Sequence, residues 1–231
     1  MSIASPDTVT TFDLSSTGLR GVNQALHAEG LAGDFTITTP AGAHNVAVGV
    51  AAPVTITVDG HVGYYAAGMN QHAEITINGN AGQGVAENMM SGVVHVTGNA
   101  SQSAGATGRG GLLVIDGDAA ARCGISMKGI DIVVGGSIGH MSAFMAQAGR
   151  LVVRGDAGDA LGDSIYEARI YVRGTAKSLG ADCVEKPMLP EHLAELADLL
   201  ATAGYGNDDL TAYKRYGSAR TLYHFHADNS Y

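Results

Sequence analysis

Four groups of side chains in this chain have the type and spacing that chemistry requires. Asp156, Asp159, Asp163 and Glu167 fall within twelve residues, and paired carboxylates are what polysaccharide-cleaving β-helix enzymes use for acid-base work. Arg150, Arg154, Arg169 and Arg173 stand beside them in sequence. Such proximity favours a solvated ladder of ion pairs over a catalytic pair, and the chain has no tryptophan to stack on a sugar ring. His224 and His226 flank Phe225, so on a strand both would point to one face, as two metal ligands do. No cluster of Cys, Asp or Glu at ligand spacing completes that site. Met69, Met89, Met90, Met127, Met141 and Met145 suit either a soft contact surface or the filling of an irregular core. Cys123 and Cys183 are too few for a disulfide framework or a four-thiolate metal site and read as free thiols. The glycine-rich bends lack the Gly-Lys-Ser or Gly-Lys-Thr of a phosphate loop. No catalytic, cofactor-binding or metal-binding residue is therefore assigned to this chain.

Composition narrows the partners. The net charge is -9 with only 13 Lys plus Arg among 231 residues, which repels a nucleic-acid backbone or an anionic membrane. No run of about 18 apolar residues offers a membrane span, and no charged stretch followed by an apolar run opens the chain. The expected location is the cytoplasm. With 45% hydrophobic residues the chain can bury a core. Its 33 glycines are about twice the usual share, without a collagen period, so regular turns must use them.

The elements that position these residues follow from a repeat. Gly60, Gly79, Gly98, Gly117, Gly136, Gly155 and Gly174 are spaced by nineteen residues. Two positions before each stand Val58, Ile77, Val96, Ile115, Val134, Val153 and Val172, and four before stand Ile56, Ile75, Val94, Leu113, Ile132, Leu151 and Ile170. Aliphatic residues at alternate positions, most of them β-branched, make a strand with one buried face. No single strand can bury that face alone, so the seven stack in parallel. The prediction is an all-β protein, a right-handed single-stranded parallel β-helix with coils of about 19 residues. At about 4.8 Å per strand its six steps rise about 29 Å. A left-handed hexapeptide helix fits poorly, because nineteen is not a multiple of six. Cys123 and Cys183 would lie three coils apart, about 14 Å, beyond the roughly 7 Å limit between bridged Cα atoms.

Both ends of such a coil need a cover. Residues 1–53 form the N-terminal cap and first irregular strands: Val9 to Leu14 alternates like a strand, and Ser16 or Thr17 caps a helix running to about Glu29 and closing at Gly30. Phe35, Ile37, Val46, Val48 and Val50 belong to irregular first strands. Residues 54–187 hold the seven repeats. Residues 188–231 form a helical cap and tail: Pro190 starts a helix with Leu193, Leu196, Leu199 and Leu200 as its apolar stripe, and Asp208 or Asp209 begins a second helix ending near Gly217. Tyr213, Tyr216, Tyr223, Phe225 and Tyr231 gather in that tail.

The repeat, with Gly79-Asn80-Ala81-Gly82-Gln83-Gly84 and Gly155-Asp156-Ala157-Gly158, resembles the GXGXG domain that closes the large subunit of glutamate synthase. Three flanking segments, Arg20 to Leu26, Gly180 to Lys186 and Tyr216 to Tyr223, are similar to the stand-alone GXGXG-type β-helix subunit of N-methylglutamate synthases, so the resemblance spans nearly the whole chain. It implies a scaffold that organises an amidotransferase-like subunit and a glutamate-synthase-like subunit carrying FMN and an iron–sulfur cluster. It implies no cofactor in this chain, and an overall reaction of methylamine with glutamate to give N-methylglutamate and ammonia. The β-helix subunit of formylmethanofuran dehydrogenase, or of a formyltransferase/hydrolase complex, shares the repeat plan and is the alternative. On this reading the aromatic tail docks partly on its own coil and, over 216–231, on the FMN-type partner.

Overall fold

The computed structural model describes residues 9–220. Strand β1 (Thr10–Asp13) leads into a one-turn helix α1 (Leu14–Thr17) and a longer helix α2 (Leu19–Leu26). There follow β2 (Asp34–Thr38), β3 (Thr55–Asp59), β4 (Glu74–Ile77), β5 (Val93–Val96), β6 (Leu112–Ile115), β7 (Lys128–Val134), β8 (Ala148–Val153) and β9 (Arg169–Val172). The described residues close with β10 (Cys183–Lys186), α3 (Pro190–Thr202), a 3-10 turn (Leu210–Ala212) and β11 (Lys214–Ser218).

Strands β1 to β9 pair in parallel, each with the next, so the molecule is a parallel β-helix. From β3 to β9 the register step is nineteen residues, apart from a bulge that pairs Lys128 with Ala148, running Ile56, Ile75, Val94, Leu113, Ile132, Leu151 and Ile170 down one inward column. Val58, Ile77, Val96, Ile115, Val134, Val153 and Val172 form the second. None of these fourteen is more than 1% exposed. The sheet also reaches back beyond the regular repeat: Phe35 pairs with Ile56, a step of 21, and Thr10 with Phe35, a step of 25.

The corner after each strand explains the repeat glycine. The residue following that glycine accepts, through its side chain, the backbone N–H nineteen residues on. His61 Nδ1 takes Asn80 N–H at 2.8 Å, Asn80 Oδ1 takes Asn99 N–H at 2.8 Å, and Asn99 Oδ1 takes Asp118 N–H at 2.8 Å. Asp118, Ser137 and Asp156 continue to Thr175 N–H. A Cβ on Gly117 would lie 2.2 Å from Asn99 Oδ1, and one on Gly136 2.2 Å from Asp118 Oδ1. At Gly117 and Gly136 glycine is needed for space rather than for φ.

Beyond the corner, a second column of bridges runs from Val62 through Ala81, Ala100, Ala119, Ile138 and Ala157 to Ala176. The third side then curves by alternating left-handed residues, as at Tyr65, Ala67 and Met69 (φ 59°, 53° and 55°). Their amides point by turns to the following and the preceding coil: Tyr65 N–H meets Gln83 O at 2.8 Å, and Ala67 N–H meets Val46 O at 2.9 Å. Backbone groups on this side are thus satisfied without a strand.

The ends depart from expectation in two places. The N-terminal cap is two helices, because Asp13 caps a single turn by accepting Ser15 N–H at 3.0 Å and Gly18 at φ 71° breaks it; the longer helix stops at Leu26 rather than Glu29. The segment expected as a helix from Asp208 or Asp209 is a 3-10 turn and then β11, so the described residues hold one C-terminal α-helix. Asp209 does cap, accepting Thr211 N–H at 3.0 Å, but only the short turn. Strand β11 inserts between β9 and β10 and is antiparallel to both. That reversal ends the parallel series.

Helix α3 lies on the outer face of the sheet. Leu196, Leu199 and Leu200, with Tyr213, pack on Leu112, Val114, Val133, Val152 and Tyr171 in a second core. This is why the outward position is apolar in β6 to β9 but is Thr57, Thr76 and His95 in earlier coils. Leu193 of the expected stripe is only half-buried, whereas His192 is buried.

Candidate functional site

Asp131 in β7, Arg150 in β8 and Arg169 at the start of β9 are outward register partners in successive coils. Arg150 grips Asp131 with two donors, Nε to Oδ1 at 2.7 Å and Nη2 to Oδ2. Glu195 of α3 reaches down between the arginines, accepting from Arg169 Nη1 and lying 3.9 Å from Arg150 Nη1. Its other oxygen accepts Tyr171 Oη at 2.5 Å. Burial, and then that bond, push the Tyr171 phenol up. The bond to Asp131 raises the Arg150 guanidinium against the opposing effect of burial.

Beside this network opens a cleft of about 800 Å³. Lys186 of β10, Arg215 and Ser218 of β11, Tyr166, Glu167 and Arg220 complete its wall. Its wall carries five Arg or Lys side chains (150, 169, 186, 215, 220) against three acids (131, 167, 195).

A second network pins the C-terminal segment to the coil. Arg154 donates to both oxygens of Asp208 at 2.8 Å, and Tyr213 Oη donates to the same carboxylate at 2.7 Å. The Arg154 guanidinium lies 4.0 Å from the centroid of the Tyr205 ring. Tyr205 Oη in turn donates to Asp116 at 2.8 Å, and Asp116 meets His95 Nε2 at 2.9 Å. The Arg154 guanidinium holds Asp208 down to about 2.

The residues singled out by sequence are dispersed. Asp156 is part of the corner ladder, accepting Thr175 N–H at 2.7 Å. Asp159 binds Lys177 Nζ at 2.7 Å and Ser178 Oγ at 3.1 Å, while Asp163 accepts from Ser164 Oγ and Ala181 N. Glu167 lines the cleft. None of these four pairs with Arg150, Arg154, Arg169 or Arg173, so the expected ladder is corrected. Arg150 and Arg169 project from the sheet's outer face toward Glu195 of α3 and Arg154 toward Asp208, whereas Asp156, Asp159 and Asp163 bind groups of the following coil and Glu167 lines the cleft without an ion pair among the described residues. Glu195, Arg215 and Lys186 were missed. Their only sequence signal is charge on elements whose meeting is non-local.

The methionines divide between both readings: Met89 and Met127 are fully buried, whereas Met69, Met90 and Met145 are exposed. Both cysteines are free and buried. Burial pushes Cys123 up to about 12, and burial with Asp163 pushes Cys183 up to about 11. Among the described residues, no three His, Cys, Asp or Glu side chains are grouped to hold a metal, and no helix is long and apolar enough to cross a membrane. His224 and His226, with Tyr223, Phe225 and Tyr231, lie outside the described residues. Tyr216, expected on the partner-facing stretch, is instead buried in the main core.

The flanking motifs build the caps. Asn23 ties α2 to the first coil, donating to Asn45 O at 2.8 Å and accepting Ala47 N–H at 3.1 Å. Asp182 binds Arg220, and Cys183 sits beneath Gly162, where a Cβ would approach its sulfur to 2.8 Å. Among curated proteins, Protein GlxC of Rhizobium meliloti (strain 1021) is 61% identical over 54 residues, 23% of this chain and 24% of that protein. The matched stretch thus spans about a quarter of the relative's length. No family model matches the chain, and no solved structure matches it.

Proposed function

We propose that this chain is a non-catalytic β-helix subunit of a glutamate-synthase-like enzyme, of the type that makes N-methylglutamate from methylamine and glutamate. The observation that carries the reading is where the chemically capable side chains have gone. Asp156 holds a backbone amide of the next coil, Asp159 an exposed lysine, and both thiols are buried with raised pKa values. No carboxylate pair or nucleophile with its base is assembled from them. The parallel β-helix and its fitted caps agree with the architecture that the resemblance implies. In this reading an amidotransferase-like subunit and an FMN and iron–sulfur subunit supply the chemistry, and this chain sets their spacing.

The test is co-expression with two such subunits. Deleting 217–231 would unpick β11, since Gly217 pairs with Val184 and Ser218 with Cys183. Truncation after residue 220 is the cleaner variant. The full chain is expected to co-purify with both partners. The truncated chain should fold, by circular dichroism, yet assemble less well and lower the activity of the complex. Turnover by the isolated full-length chain would overturn the scaffold reading, and full assembly by a folded truncated chain would remove the tail's docking role.

A further inference from the structure

Strands β9, β11 and β10 place three cations on one outer face. Lys186 is the direct antiparallel partner of Arg215, and Arg215 is the direct partner of Tyr171. Arg169 stands two residues before Tyr171, so its side chain leaves the same face. Like charges directly opposite one another in an antiparallel pair are destabilising. A fold that retains such a row bears a cost that a bound anion would remove.

The nearby acids relieve it only in part, since Glu195 and Glu191 act on Arg215 at a distance without pairing with it. Asp131 is occupied by Arg150, and Glu195 by Arg169 and Tyr171. Glu167 lines the cleft and forms no ion pair with the row among the described residues. Lys186 has no carboxylate within ion-pair distance among the described residues, nor has Arg215. The hydrogen bond that Arg215 does make is from Nε to Pro187 O, at 3.0 Å. This anchors the guanidinium through Nε, and Arg215 lines the cleft with no further side-chain hydrogen bond among the described residues. Burial lowers the Arg215 pKa, outweighing the opposing effects of Tyr171, Glu195 and Glu191, and Arg169 lowers it further, so the charge is already partly stripped of water.

We propose that this row is a binding site for a small oxyanion ligand, a carboxylate or a phosphate, with the Arg215 Nη pair as the fork and Lys186 as the second charge. A planar guanidinium presents two parallel donors to either group, and a neighbouring ammonium adds a point charge. On a chain of net charge -9, a local excess of basic groups also steers anions to this cleft. The assignment is independent of the scaffold role, since it concerns the isolated chain.

The experiment is isothermal titration of the purified full chain with glutarate and, separately, with inorganic phosphate, against sodium chloride at matched ionic strength. At least one anion should bind saturably at one site per chain. Arg215→Gln should weaken it at least tenfold and Lys186→Gln by less, while Lys128→Gln, outside the cleft wall, should leave it unchanged. Arg215→Lys keeps the charge without the fork and should still lose several-fold, which guards against a Gln variant that misfolds by circular dichroism. Glutarate binding alone assigns a carboxylate ligand, and phosphate binding alone assigns a phosphate. Binding of neither anion beyond chloride, or affinity kept within twofold in both Arg215→Lys and Lys186→Gln, overturns the site.

Discussion

In Gly117→Ala the new Cβ falls 2.2 Å from Asn99 Oδ1 and 2.9 Å from the carbonyl oxygen of Gly98. The side chain of Asn99 can swing away, but only by releasing Asp118 N–H, which it holds at 2.8 Å. Losing that bond costs about 0.5–1.5 kcal/mol, toward the low end because water reaches Asn99. The backbone contact remains, and forcing a central coil apart adds about 1–3 kcal/mol. The expected loss is therefore about 2–4 kcal/mol, or a melting temperature lower by about 5–15 °C for a chain of this size. Urea unfolding followed by far-UV circular dichroism measures it. Gly204→Ala is the control: its φ is +88° but nothing lies within 4 Å of the new Cβ, so it should cost only about 1–2 kcal/mol. Asn99→Ala removes the obstructing oxygen, so in that background Gly117→Ala should cost at least about 1 kcal/mol less. A loss below about 1 kcal/mol for Gly117→Ala alone, or strict additivity of the two changes, would refute the steric account of the repeat glycine.

Three further outcomes are expected. Leu113, fully buried between Val94 and Ile132, should cost about 2–5 kcal/mol on Leu113→Ala in chemical denaturation, and a loss under about 1 kcal/mol would place it outside the core. Asp208 has its folded pKa depressed to about 2, below the roughly 3.9 of an unfolded aspartate, so its ion pair stabilises fully above about pH 4 and is lost as pH falls through the folded value. Wild-type stability should therefore drop between about pH 4 and 2 by about 2 kcal/mol more than that of Asp208→Asn, and parallel pH profiles would contradict the pairing with Arg154. Cys123 and Cys183, held up to about 12 and 11, should leave an aromatic disulfide reagent unreacted at pH 8 in the native protein and react fully in denaturant; fast native labelling at either would show that its burial is wrong.

The coil was legible because one signal recurs locally: an aliphatic pair and a glycine every nineteen residues state strand, face and corner together. The first strands were harder to place, since the steps of 21 and 25 into β3 and β2 break the count while Phe35 and Ile37 keep the inward pattern. Strand β11 was not legible. Lys-Arg-Tyr-Gly-Ser has no alternation of apolar and polar residues, and its partners Ile170 and Val184 lie 46 and 33 residues back. The outer core had a trace in the sequence: Val114, Val133, Val152 and Tyr171 are apolar where an exposed face should be polar, which signals a covering element. The cleft had none. Arg215 gains its meaning from Lys186 across a strand pair and Arg169 across another, while Asp156, Asp159 and Asp163, close to the arginines in sequence, bind groups of the following coil instead.

The insertion of β11 between β9 and β10 also sets an order of events during synthesis. Each earlier coil can settle on the one before it as soon as it emerges, because its partner strand already exists. Strand β9 is different: the strand that covers its free edge ends at Ser218, 46 residues after Val172. At about 5–20 residues per second, that edge waits about 2–9 s on the ribosome for its cover. Helix α3 emerges within this interval and can shield the face of the sheet, though not its edge. Nascent chains crowded on one message would meet through β9, so the interval before β11 emerges is when this solenoid is most open to joining its own neighbours end to end.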